Sequence, residues 1–98
     1  MNKNELIEKA SVRTGLTKKD CAAAIGAMTE AITQELQRGG KIQLSGFGVF
    51  EVKHREARRG RDPRTKATVA IEARDVPVFR PGKLLKDAVS RNRGDLVF

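Results

Sequence analysis

The chain has no tryptophan and no tyrosine, one cysteine and one histidine. A lone cysteine excludes an internal disulfide, and with a lone histidine it excludes a zinc cage built from those side chains. No metal or cofactor is expected. Long apolar runs are missing too: the longest nearly apolar stretch, residues 21–28, is far short of the about 20 residues that span a bilayer. The first ten residues carry Glu5 and Glu8 where a secretory signal is apolar. Together these absences predict a soluble, cytoplasmic protein with no membrane partner. Acidic residues are scarce as well. Twelve Asp and Glu stand against twenty Lys and Arg, a net charge of +8 in 98 residues. That excess points to a polyanion such as DNA, RNA, a heparin-like polymer or an acidic surface, and away from a small-molecule substrate.

A chain this short makes one small domain, yet its charge is unevenly placed. Residues 1–40 hold six basic and five acidic side chains, whereas residues 53–66 hold Lys53, Arg55, Arg58, Arg59, Arg61, Arg64 and Lys66 against only Glu56 and Asp62. The basic excess is concentrated in one internal stretch.

The first forty residues predict two helices. Asn2 with Glu5 forms a box-like N-cap, Leu6, Ile7 and Ala10 recur at helical spacing, and Thr14-Gly15 supplies a left-handed stop. Thr17 with Asp20 caps a second helix whose apolar stripe, Cys21, Ile25, Met28, Ile32 and Leu36, runs to Gly39-Gly40. Small residues on further faces of that helix, Ala23, Ala27 and Ala31, predict a surface that a second copy covers, and hence a homodimer. A helix-turn-helix reader fits poorly, because the second helix has basic residues only at its ends, Lys18, Lys19 and Arg38.

From residue 41 the period changes to two. Ile42 and Leu44 alternate, residues 45–48 form a turn, and Phe50, Val52 and His54 alternate with Glu51, Lys53 and Arg55 as a half-buried strand. A return strand begins at Thr68, with Val69, Ile71 and Ala73 on one face. Next comes a strand through Val76, Val78 and Phe79, where Pro77 demands an edge or a strand end. Leu84, Leu85, Ala88 and Val89 mark a short final helix over residues 83–89, and residues 90–98 are expected to be a loose tail.

The segment between the strands cannot bury a core. Besides His54, its uncharged residues from 53 to 66 are only Ala57, Gly60, Pro63 and Thr65. With strands leading in and out, it is expected to protrude as a two-stranded basic arm over about residues 53–68, rather than to form a disordered tail. A β-ribbon enters a DNA groove, and its guanidinium groups neutralise phosphates or lie in a narrow minor groove. Pro63, a rigid apolar ring at the arm tip, suits a wedge between base pairs, although a proline in a turn is ordinarily structural.

Catalytic inventories fail. Gly39-Gly40-Lys41 and Gly82-Lys83 suggest a phosphate-binding loop, but Ile42 and Leu84 stand where a magnesium-holding Ser or Thr belongs. Cys21 falls on an apolar stripe and is expected to be a buried small hydrophobe. His54 lies near the arm base and is expected to be packed or partly exposed. No enzyme is predicted. Sequence-specific RNA readers stack bases on aromatic side chains, whereas the four Phe here, at 47, 50, 79 and 98, fit core or tail positions.

The segments GFGVFEV (46–52), ARRGRDPRT (57–65), VPVFRPGK (76–83) and LLKDAV (84–89) resemble the HU and integration host factor family of bacterial DNA-bending proteins, in register over about residues 1–90. The resemblance implies an α+β fold: a helical body of two N-terminal helices and a short C-terminal helix, with a three-stranded antiparallel sheet extended into the β-ribbon arm. It also implies an intertwined dimer, one domain over residues 1–90 and a tail over 91–98. Two arms would embrace double-stranded DNA through the minor groove, with Pro63 intercalating and Arg55, Arg58 and Arg61 lining the groove. Lys3, Arg80, Lys83 and Lys86 would hold flanking phosphates. Lys3 and Lys83 also fall at predicted helix N-termini, where free N–H groups favour a phosphate. The sequence departs from the family pattern at Asp62, where asparagine is common, and at Lys66, where glycine is common. Ser45, before GFG, is too short to reach a groove. The expectation is therefore an HU-like nucleoid protein that prefers bent, nicked or gapped DNA over any particular sequence; the alternatives are a sequence-specific bender like integration host factor and a basic RNA-binding protein.

Overall fold

The computed structural model describes residues 1–94, with side chains through residue 91. Its elements are α1 (Lys3–Thr14), α2 (Lys18–Gln37), β1 (Ile42–Leu44), β2 (Gly48–Arg55), β3 (Arg58–Arg61), β4 (Thr68–Ile71), β5 (Arg74–Pro81) and α3 (Lys83–Gly94). They form an α+β arrangement of two compact units, Met1–Glu35 and the chain from Leu36 onward.

In the first unit the predicted caps are in place. Asn2 Oδ1 accepts the Glu5 N–H at 2.9 Å, and α1 stops where Gly15 takes φ 77° and donates its N–H to the Ser11 carbonyl. Thr17 Oγ1 then accepts the Asp20 N–H at 3.0 Å, opening α2. Ile7 and Cys21 are the buried apolar side chains, with Cys21 Sγ 3.7 Å from Thr14 Oγ1. Cys21 is thus a packed small hydrophobe, as its place on the stripe predicted. Leu6 and Met28 remain half exposed.

In the second unit β1, β2 and β5 form an antiparallel sheet in the order β1-β2-β5, while β3 and β4 form a separate two-stranded ribbon. Pro77 sits on β5, an edge strand, opposite Val52, where its missing N–H costs no ladder bond. The apolar cluster of this unit joins the β1–β2 turn to the sheet: Phe79 lies with its ring centroid 5.5 Å from Phe47 and 4.8 Å from Phe50. Gly48 makes the close approach possible, since a Cβ there would lie 2.6 Å from the Phe79 ring and from the Arg80 carbonyl oxygen.

Two boundaries differ from the sequence reading. The final helix does not stop at Val89 before a tail from residue 91; α3 runs to Gly94, because no Pro or Gly interrupts residues 83–93 and the basic Arg91 suits the negative end of a helix dipole. The expected tail beyond it, with Phe98, lies outside the described residues. The arm is also displaced along the chain from the expected 53–68. The body sheet stays paired through Arg55↔Arg74, and the ribbon pairs Arg58–Arg61 with Thr68–Ile71. Lys53 and Arg55 therefore belong to the body sheet, and Ala73, expected on a strand face, falls in the break between β4 and β5.

Candidate nucleic-acid interface

Directly opposed residues in an antiparallel ribbon share a face. The register Arg58↔Ile71 and Gly60↔Val69 makes one face, and Arg59↔Ala70 and Arg61↔Thr68 the other. Gly60 is part of the packing, because its missing Cβ would lie 2.5 Å from Ile71 Cδ1. One face thus carries Val69 and Ile71 beside Arg58, and the other carries Arg59 and Arg61. Arg58 and Arg61, expected to line one groove together, stand on opposite faces.

At the tip, the Asp62 N–H donates to the Ala67 carbonyl at 2.9 Å, and the Lys66 N–H donates to the Asp62 carbonyl at 2.6 Å. Asp62 Oδ1 accepts the Arg64 N–H at 2.8 Å. Lys66 holds φ 60°, the left-handed conformation that glycine ordinarily supplies. Pro63 lies inside this loop and is exposed. Both departures from the family pattern are accommodated: an aspartate oxygen closes the same turn as an asparagine oxygen, and a lysine tolerates one left-handed position at modest cost.

At the base, His54 and Asp75 face each other in register, with Nδ1 2.8 Å from Asp75 Oδ1 and Nε2 3.2 Å from Glu56 Oε1. His54 is exposed and engages a carboxylate at each ring nitrogen.

The basic residues divide into those that pair with a carboxylate and those that do not. Among the described residues Lys53, Arg55, Arg58, Arg59, Arg61, Arg64, Lys66 and Arg74 make no ion pair, whereas Arg80 Nε lies 2.5 Å from Glu51 and Lys83 Nζ lies 2.9 Å from Asp87. Arg74 was missed by the sequence reading, which took the basic stretch to end at Lys66; only the register brings it opposite Arg55. Of the expected phosphate-holding residues, Lys3 opens α1 and Lys83 opens α3. Lys3 and Lys86 make no ion pair among the described residues. Unpaired cations keep their full attraction for an external polyanion, while Arg80 and Lys83 first have to share or give up a carboxylate. The arrangement suits contact with a phosphate backbone along the ribbon.

The model of the family described as bacterial DNA-binding protein matches residues 1–90. The DNA-binding protein HRL18 of Rhizobium leguminosarum is 53% identical over 90 residues, covering 92% of this chain and 99% of that one. DNA-binding protein HU of Geobacillus stearothermophilus is 52% identical over 89 residues, with 91% and 99% covered. Among solved structures, an Anabaena HU–DNA cocrystal structure matches with a TM-score of 0.86 at 40% identity, covering 92% of this chain and 98% of that one. HU from Thermotoga maritima matches with a TM-score of 0.67 at 36% identity, with 91% and 98% covered.

Proposed function

The chain belongs to the bacterial DNA-binding protein family, on its HU-like branch, and from that premise we propose that it is an architectural, DNA-bending protein of the nucleoid. The observation that carries the reading is the ribbon of Arg58, Arg59, Arg61, Arg64 and Lys66, which lacks internal ion-pair partners and is narrow enough for a DNA groove. Guanidinium groups in the minor groove respond to its width and potential, not to a base sequence. Pro63 at the exposed tip serves as the apolar wedge that unstacks a base step, and Lys3, Arg80, Lys83 and Lys86 hold phosphates on the flanks.

The acting species is a homodimer. Leu6 and Met28 in the first unit, and Phe47, Leu84 and Val89 in the second, are each at least 46% exposed, large apolar side chains that a partner surface would take out of water. A second copy covers them and brings a second arm. The reading is non-enzymatic: cations, an apolar ring and backbone turns supply binding and deformation, with no bond made or broken.

Competition binding to nicked or kinked duplex, intact duplex and double-stranded RNA tests this. A preference for the deformed duplex at constant salt is the expected result, since part of the bending cost has been met in advance. Equal affinity for double-stranded RNA would favour a general polyanion binder instead.

A further inference from the structure

Asp62 differs from the rest of the arm tip. It is half-buried, while residues 63–70 are all exposed. Three of its polar groups are committed within the loop: its N–H to Ala67, its carbonyl to the Lys66 N–H, and its Oδ1 to the Arg64 N–H. These bonds bracket Pro63, which has no N–H with which to fix its own orientation. A ring presented by a flexible loop is easily turned aside when it meets a base step. Here the carboxylate ties the chain on the far side of Pro63 back to the near side, and Lys66 at φ 60° completes the reversal.

The same side chain carries a negative charge at the end of a cationic arm, where it opposes the approach of phosphates. A neutral acceptor would close the loop without that repulsion. We propose that Asp62 is the positioning residue of the arm tip, its carboxylate oxygen setting the presentation of Pro63 while its charge holds down the affinity of the tip for the DNA backbone. The inference rests on the reading of Pro63 as the wedge.

Asp62→Asn and Asp62→Ala separate the two roles, with Pro63→Ala as the reference for a missing wedge. Asp62→Asn keeps an oxygen for the Arg64 N–H and removes the charge. Its bend angle on a nicked duplex, measured by energy transfer, equals that of the parent. Its affinity rises several-fold at low salt, and its slope of log K against log salt steepens by up to about 0.9 per arm. Asp62→Ala shares the gain in charge-driven affinity, but its bend falls to that of Pro63→Ala. Amide hydrogen exchange at Arg64, whose N–H the Asp62 side chain accepts, gives a readout independent of DNA in the free protein: protection survives in Asp62→Asn and disappears in Asp62→Ala. An Asp62→Ala variant that bends DNA like the parent while Pro63→Ala does not, or a failure of Asp62→Asn to keep the parent's bend, overturns the proposal. If Pro63→Ala itself bends like the parent, the wedge reading fails, and unchanged exchange protection in Asp62→Ala overturns the positioning role separately.

Discussion

Arg55 and Arg74 face each other as the last register pair of the body sheet, and neither has an ion-pair partner among the described residues. Like charges placed directly opposite weaken a ladder. Immediately beyond them the strands lapse at residues 56–57 and 72–73 before pairing resumes in the ribbon. The break borders a hollow of about 450 Å3 lined by Arg55, Arg58 and Arg74 with Glu56, Glu72 and apolar Ile71, Val76 and Val78. The arm thus joins the sheet beside two opposed guanidinium groups, with the carboxylates of Glu56 and Glu72 lining the same hollow.

Arg74→Glu should turn that repulsion into an attraction across the ladder. The expected gain in stability is small, about 0.2–1 kcal/mol for a cross-strand pair of this kind, while DNA binding weakens and its salt dependence flattens. Thermal unfolding and salt-dependent binding measured on the same preparation check both halves. A lower unfolding midpoint with an unchanged salt slope would contradict the account of the arm base.

Arg58→Ala should weaken binding to all sequences alike. Every phosphate that is no longer neutralised lowers the slope of log K against log salt by about 0.9, so a substitution present in both arms of a dimer lowers it by as much as roughly 2. An unchanged slope would place Arg58, on the face with Val69 and Ile71, away from the backbone.

Gly48→Ala and Gly60→Ala should differ although both glycines are closely approached. At Gly48 the added methyl meets the Arg80 carbonyl oxygen and the Phe79 ring at 2.6 Å, whereas at Gly60 the nearest atom is the terminal Cδ1 of Ile71. A backbone oxygen and a packed ring move only with the sheet, so Gly48→Ala is expected to cost about 1–3 kcal/mol. A flexible side-chain end swings aside, and Gly60→Ala should cost clearly less. Chemical denaturation of the two variants at one protein concentration measures the difference; equal losses would mean that Ile71 is as rigidly held as Phe79.

Association can be read from heat. If a second copy covers the exposed apolar residues, the unfolding midpoint rises with protein concentration. A midpoint constant over a hundredfold range, together with a monomer mass in solution, would rule out the homodimer.

Much of this protein was legible along the chain because the responsible physics is local. Asn2 and Thr17 cap helices through oxygens that reach only three residues ahead. Gly15 ends α1 because it takes a positive φ without penalty. The basic arm announced itself by composition, since a stretch with so few apolar side chains has nothing to bury and must stand in solvent. Helix α3 was read too short because the apolar spacing ends at Val89, although the helix itself continues to Gly94.

The partners of those local elements were settled only in three dimensions. Arg74 opposite Arg55, His54 opposite Asp75 and Arg80 against Glu51 all follow from the antiparallel register of β2 and β5. Composition and periodicity identify a strand but not its alignment, and a slip of one residue would exchange the faces of the whole strand. The left-handed Lys66 likewise follows from closing the tip between Asp62 and Ala67. Sequence by itself determined which residues are charged, apolar or turn-forming; tertiary structure decided which of them meet, because register is set by packing between segments far apart in the chain.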